Sequence, residues 1–384
     1  MKRLVGILLL QLVLYSCHGQ VVNMAGITFV TKRVATGRNP ESVVAADVNG
    51  DKYLDLLVAN ADDNNVSVLL GDGKGGMMLA TNSPFGAGEN PSDIAVADFN
   101  HDDRLDLAVA NHDTNHLTIL LGNGHGQFSP APQPSVTVKS KPHPHGIAAA
   151  DFNDDGWPDL ATDDWQNNNV TIVLNDGSGR FMSPGLSFSV GRMPYHKLRS
   201  ADVNGDGKPD VITTNFEGGN ITVLLGNGKG GFNQPPGSPF VANAKPFGVA
   251  IGDVNGDGRL DLAVAHYSGH INDSSSDRVS ILLGTGDGAF KPGWSQLVPG
   301  RAPTGAAIGD INGDGIADVA FVNYAAASVT LVLGTKGEFQ ISPLVVAVGQ
   351  LPSSVAMGDL NGDGKADIIT ASSGDNDITI ALAK

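Results

Sequence analysis

Short apolar runs, each bounded by polar and glycine-rich turns, recur along the whole chain. One unit reads Pro246-Phe-Gly-Val-Ala-Ile-Gly-Asp253, an acidic loop, Leu262-Ala-Val-Ala265, a polar stretch, and Val279-Ser-Ile-Leu-Leu283. A glycine turn, Gly284-Thr-Gly-Asp-Gly288, follows, and a more polar run begins near Phe290. Short runs of this kind between turn residues are strand signals. Small and β-branched residues dominate the first run, which suits crowded inner positions. Each unit therefore predicts four strands of an antiparallel meander.

The units are in register through a nine-residue stretch, Asp202-Val-Asn-Gly-Asp-Gly-Lys-Pro-Asp210, that occurs seven times. The starts are separated by 51, 53, 51, 51, 57 and 49 residues. A repeat of this length marks one supersecondary unit per period. Seven four-stranded units predict an all-β fold, a seven-bladed β-propeller of four-stranded antiparallel blades. The alternative is an open stack of blades. The ends of the chain favour a ring. The seventh unit stops after its third strand, at residues 378–382, while a spare strand lies at residues 27–34. The N-terminal strand is therefore expected to complete the last blade and remove an exposed edge. The longest spacing is traced to an enlarged connection at residues 268–277.

The stretch itself reads as a cation loop. Its first place is Asp47, Asp98, Asp151, Asp202, Asp253, Asp310 or Asp359. The third is Asn49, Asn100, Asn153, Asn204, Asn255, Asn312 or Asn361. The fifth is Asp51, Asp102, Asp155, Asp206, Asp257, Asp314 or Asp363. The ninth is Asp55, Asp106, Asp159, Asp210, Asp261, Asp318 or Asp367. Alternate oxygens in a tight curl suit a hard cation that takes six to eight oxygen ligands, and glycine at the sixth place allows the curl. The seventh place would add a backbone carbonyl, and the ninth is expected to swing back and bind through both oxygens. Three carboxylates and one amide favour Ca2+, up to seven ions with a structural role; transition metals would ask for His or Cys. The plainer reading is a set of Asx-turns held by their own side-chain-to-backbone bonds. Lys52 and Asp103 replace the sixth-place glycine, so the sites at Asp47 and Asp98 are expected to be weaker.

These loops, followed by Leu-Ala-Val-Ala and then by Val223-Leu-Leu-Gly-Asn-Gly228, resemble the FG-GAP or VCBS-type repeat of integrin α-subunit propellers and many exported bacterial proteins. The resemblance covers residues from about 27 to 384. It implies the propeller fold and calcium at the loop residues just named, and a binding rather than a catalytic role. Seven acidic loops are more than integrin α-subunits carry, so their mode of ligand recognition is not carried over.

The formal net charge is −16, and seven divalent ions would bring it to −2. No basic stripe exists, so nucleic acid is not an expected partner. Lys2 and Arg3 precede an apolar run at residues 4–14, which reads as an export signal over residues 1–19, with the propeller over 20–384. Cys17, the only cysteine, sits in a lipobox-like Leu14-Tyr-Ser-Cys17. Either it carries a lipid anchor, the only membrane attachment expected, or cleavage after Gly19 removes it. The product is secreted, periplasmic or held on the cell surface.

A glycan or protein ligand is expected on the face opposite the acidic loops. Fourteen places after each first Asp, four successive units carry Trp165, Phe216, Tyr267 and Tyr324, in a chain that is only 6% aromatic. Such rings could stack on sugars, or simply cover packing between blades. Six places before the loop stand His145 and His196, and Arg199 occupies a first strand where other units have Val or Ala. With His143 and Lys197 these form a basic patch. It would bind an anion or serve a polysaccharide lyase or hydrolase; alternatively, Arg199 pairs with a channel carboxylate. No nucleophile motif and no spacing typical of catalytic zinc is present, so the expectation is a non-catalytic adhesion or carbohydrate-binding module, with an envelope scaffold as a further reading.

Overall fold

A computed structural model describes residues 21–24, 26–139, 143–242, 245–268, 277–297, 302–336 and 340–384. The proposed export segment with Cys17, and most of the 268–277 insertion, lie outside the described residues. Among the described residues no helix is long and apolar enough to cross a membrane.

The fold is a seven-bladed β-propeller of antiparallel blades. The first strands, which line the centre, are Pro40–Ala46, Pro91–Ala97, Ile147–Ala150, Pro194–Ala201, Pro246–Gly252, Pro303–Gly309 and Pro352–Gly358. The second strands begin at the ninth-place aspartates: Asp55–Asn60, Asp106–Asn111, Asp159–Asp164, Asp210–Asn215, Asp261–His266, Asp318–Asn323 and Asp367–Ser372. Every residue of these seven strands is buried, because each is covered by a neighbouring blade on both faces. Such strands need continuous apolar runs rather than alternation.

Closure follows the expectation. Ile27–Ala35 pairs with Asp377–Ala383 over seven residues, and Val21–Met24 adds one more strand outside it. Phe29 is fully buried there. Seven separate apolar clusters fill the seven gaps between blades, including the gap between the last blade and the first, where Val43, Leu56 and Val58 meet Ile369, Ile378 and Ile380. An open stack would leave that last gap unfilled.

The centre is crowded where first strands converge. A Cβ added to Gly248 would meet the Thr304 carbonyl at 2.5 Å, so glycine there permits close approach of neighbouring strands. The fourth first strand carries an extra residue between its proline and its loop. Its pairing with the second strand shifts between Pro194 and Leu198, and His196 is forced to φ +82°.

Candidate functional site

The seven acidic loops lie on one face, between first and second strands. In each, the first Asp caps the curl. In the fourth loop Asp202 Oδ1 accepts N–H bonds from Gly205 and Asp206, and Oδ2 accepts one from Gly207. The sixth place is left-handed in all seven loops, including Lys52 at φ +73° and Asp103 at φ +61°. The fourth place is left-handed as well, which the sequence reading missed. Glycine holds it in five loops, but His101 and Asp154 hold it at +56° and +60°.

The ninth aspartate is fully buried in every loop. Both oxygens of Asp210 accept backbone N–H bonds, from Val203 at 2.9 Å and from Gly226 at 2.8 Å, which ties the loop to the end of the third strand. Each oxygen keeps a second lone pair. Burial, reinforced by repulsion from the first and fifth aspartates, pushes the ninth carboxyl up to about 6, and to about 7 at Asp159. Hydrogen bonding thus explains the loop's shape but leaves a concentration of negative charge. An all-oxygen set with that charge fits a hard divalent cation. Among the described residues the three carboxylates of a loop do not gather within 4.8 Å of one another.

On the opposite face two rings of side chains surround the mouth of the channel. The inner ring, six places before each loop, is Glu41, Ser92, His145, His196, Phe247, Thr304 and Ser353. The outer ring, at the ends of the second strands, is Ala61, His112, Trp165, Phe216, Tyr267, Tyr324 and Ser373. A recess of about 240 Å³ is bounded by Glu41, His196, Phe247, Tyr267, Thr304, Tyr324 and Ser353. Phe247 is its hub. Its centroid lies 4.1 Å from His196, 5.5 Å from Tyr267 and 5.9 Å from Phe216. Glu41 supplies a carboxyl raised above its usual range by burial, with Lys197 pulling the other way.

Of the residues singled out from the sequence, His196, Tyr267 and Tyr324 meet in this recess. Phe216 stands behind it, under Lys245 Nζ at 4.8 Å. Trp165 and His145 lie beside the recess, not in it: His143 is 5.2 Å from Trp165, and Tyr195 links the two groups, 4.1 Å from His145 and 5.6 Å from Phe247. Arg199 joins neither. It points into the channel, where its Nη1 lies 3.4 Å from Asp93 Oδ2, while Lys197 Nζ bonds Asp93 Oδ1 at 2.9 Å. Of the two readings offered for Arg199, the paired one describes the structure. Burial raises the Asp93 carboxyl, but Lys197 and then Arg199 outweigh it and hold it below the usual range. This network crosses the channel beneath the mouth, and a cavity of about 520 Å³ lies within the channel. The basic patch expected at blades three and four is therefore divided. Burial also pulls His196 down to about 3 and His145 well below its ordinary value, so both rings are neutral near pH 7.

The sequence reading also missed a meeting of three histidines. His112 from the outer ring of blade two, and His143 and His145 from the turn into blade three, bring ligand atoms within 4.8 Å of one another. The two ring registers, compared across adjacent blades, would have placed His112 beside His145.

With the geometry in place, comparison with known proteins is decisive for the family. A model of FG-GAP-like repeats matches residues 47–109, 102–162, 202–264, 268–321 and 310–370. The chain belongs to the FG-GAP-like repeat family. This FG-GAP propeller is also 25% identical over 164 residues to cartilage acidic protein 1 of Xenopus tropicalis. That match covers 40% of the chain and 24% of the relative, so it reaches about a quarter of that protein's length. Among solved structures, a protein from Lactobacillus plantarum superimposes with a TM-score of 0.63 at 15% identity, over 85% of this chain and 90% of that one. BBS1N, solved in complex with ARL6DN, gives 0.60 at 14% identity, over 94% and 98%. At these identities the likeness is one of fold. An FG-GAP propeller is a binding or structural module.

Proposed function

We propose that this FG-GAP propeller is an exported, calcium-stabilised module that binds a carbohydrate at the mouth opposite its acidic loops. The observation that carries the reading is the recess itself. Tyr267, Tyr324 and Glu41, all half-buried, bring two rings and a carboxyl to the edge of one hollow of about 240 Å³, and Thr304 Oγ1, buried without a partner, lines it. Phe247 and Ser353 are buried parts of its wall, the Ser353 hydroxyl donating to the Pro40 carbonyl at 2.6 Å. Sugar rings are recognised by such a combination, with apolar faces stacking on aromatics and hydroxyls bonding a few convergent polar groups. Export is supported by Lys2, Arg3 and the apolar run that follows them.

Calcium has a structural part in this reading. The first, third, fifth and ninth side chains and the seventh carbonyl of each loop would hold it. In the fourth loop all four side chains already accept backbone N–H bonds, Asp202 from Asp206, Asn204 from Asp206, Asp206 from Lys208 and Asp210 from Val203, so an ion would be held through the lone pairs these bonds leave free. The ion would neutralise the cluster that burial otherwise penalises.

A glycan array, with released sugars measured in parallel, tests the ligand. Selective binding without product, weakened at least tenfold in Tyr267→Ala, is the expected result. Turnover of the bound glycan would contradict the non-catalytic reading. No binding to any glycan would leave the scaffold reading in its place.

A further inference from the structure

We propose that His112, His143 and His145 form a binding site for one divalent transition cation of the zinc class, on the face opposite the acidic loops. Three imidazoles with an open fourth position are a common zinc set, with Zn–N distances near 2.0–2.1 Å. The present spread of up to 4.8 Å between ligand atoms needs only a modest inward movement. The centroid of His112 lies 4.3 Å from both His143 and His145, so it stands between them.

The nitrogens argue for an ion more strongly than the ring packing does. His145 is buried, yet neither Nδ1 nor Nε2 makes a well-formed hydrogen bond, the ring only approaching the His143 backbone, and His143 Nδ1 is buried without a well-formed one. Buried polar atoms are normally satisfied, and those that are not call for an explanation. Stacking on Trp165 and Tyr195 accounts for where the rings lie but leaves their nitrogens unused.

The supporting residues are those of a metal site. His112 Nδ1 pairs with Asp113 Oδ1 at 2.7 Å, which leaves Nε2 as the nitrogen available to an ion. Asp163, fully enclosed, accepts N–H bonds from His145 and Gly146 through Oδ1. Its Oδ2 has no partner and faces His145 Nδ1 at 3.8 Å. Ligation through His145 Nε2 would leave Nδ1–H to donate to that oxygen. Carboxylates behind ligating histidines are the usual means of fixing tautomer and ring orientation. The ligand chemistry also separates this site from the loops: imidazole nitrogen selects borderline transition metals, while carboxylate and carbonyl oxygen select calcium. The assignment does not depend on the carbohydrate reading.

The test uses the full chain in excess Ca2+, so that the oxygen loops are not the probe's target. Co2+ is titrated as a spectroscopic reporter and then displaced by Zn2+. One equivalent of Co2+ should give the intense visible absorption of a low-coordinate nitrogen site, abolished by stoichiometric Zn2+. His143→Ala and His112→Ala, both at half-buried positions, should lose the band with melting unchanged, and Zn2+ should bind about 100-fold more weakly or worse. Asp113→Asn, behind the ligand, should weaken Zn2+ by about 10–100-fold. Absence of a stoichiometric band, or a band unaltered in the histidine variants, would overturn the site. Should a variant fold poorly, anomalous diffraction at the zinc edge from wild-type crystals decides: a peak among the three rings supports the site, and none refutes it.

Discussion

Asp103 holds the sixth place of its loop at φ +61°, and His101 two residues earlier sits at +56°. The second loop is thus the one with no glycine at either left-handed place. A residue with a Cβ in that region costs about 1–2 kcal/mol, while glycine costs about 0.5–1 kcal/mol in chain entropy. The difference sets the sign of a test. Asp103→Gly should raise the unfolding free energy by up to about 1 kcal/mol. Denaturant melts check it, and a lower midpoint would mean that Asp103 contributes more through charge than it loses through strain. The sixth place was legible because glycine marks it in five of the seven loops. The fourth was equally marked, by Gly50, Gly205, Gly256, Gly313 and Gly362, but no conformation was inferred from glycine there.

At the scale of strands, the inner edge of the ring carries a buried charge cluster. Asp93 on the second blade serves Lys197 and Arg199 on the fourth, and Ser42 Oγ on the first donates to it at 2.8 Å. Removing one member of such a cluster strands the others in a poor solvent. Asp93→Asn should cost about 3–5 kcal/mol, and a second change, Lys197→Met, should recover most of it. The pH dependence has a definite sign. The folded-state value of Asp93 lies below its ordinary one, so its contribution is complete above the ordinary carboxylate range and is lost as pH falls through the folded value. Acid unfolding should be less steep in the double variant than in the wild type; identical acid limbs would contradict the assignment. Sequence periodicity gave each of these residues its radial place. It could not show which blade answers which, because Asp93 and Lys197 are 104 residues apart and pair across the channel. The enlarged bulge at His196 was hidden for a similar reason: one added residue in a first strand changes its register without changing its composition.

The ring as a whole is what the repeat described most completely. Seven loops in register, apolar second strands and a spare N-terminal strand left one closed arrangement, and the seven inter-blade clusters fill it. Side chains gathered by closure were less legible. Tyr267, Tyr324 and His196 were found as separate repeat positions, and only the curvature of the ring shows them sharing a recess with Glu41. His112 holds the same repeat position as Trp165 and Phe216 but was not singled out, and its neighbours come from another register. The central claim for the whole molecule is that its acidic loops are cation cages holding the ring. Calorimetric melting of the full chain, with Ca2+ against excess chelator, tests it most directly. At free calcium near 100 times the dissociation constant each occupied loop adds about 2.7 kcal/mol, so the account predicts a large fall in melting temperature on chelation, reversed by added Ca2+. An unchanged melting temperature, with no calcium bound at equilibrium, would contradict it.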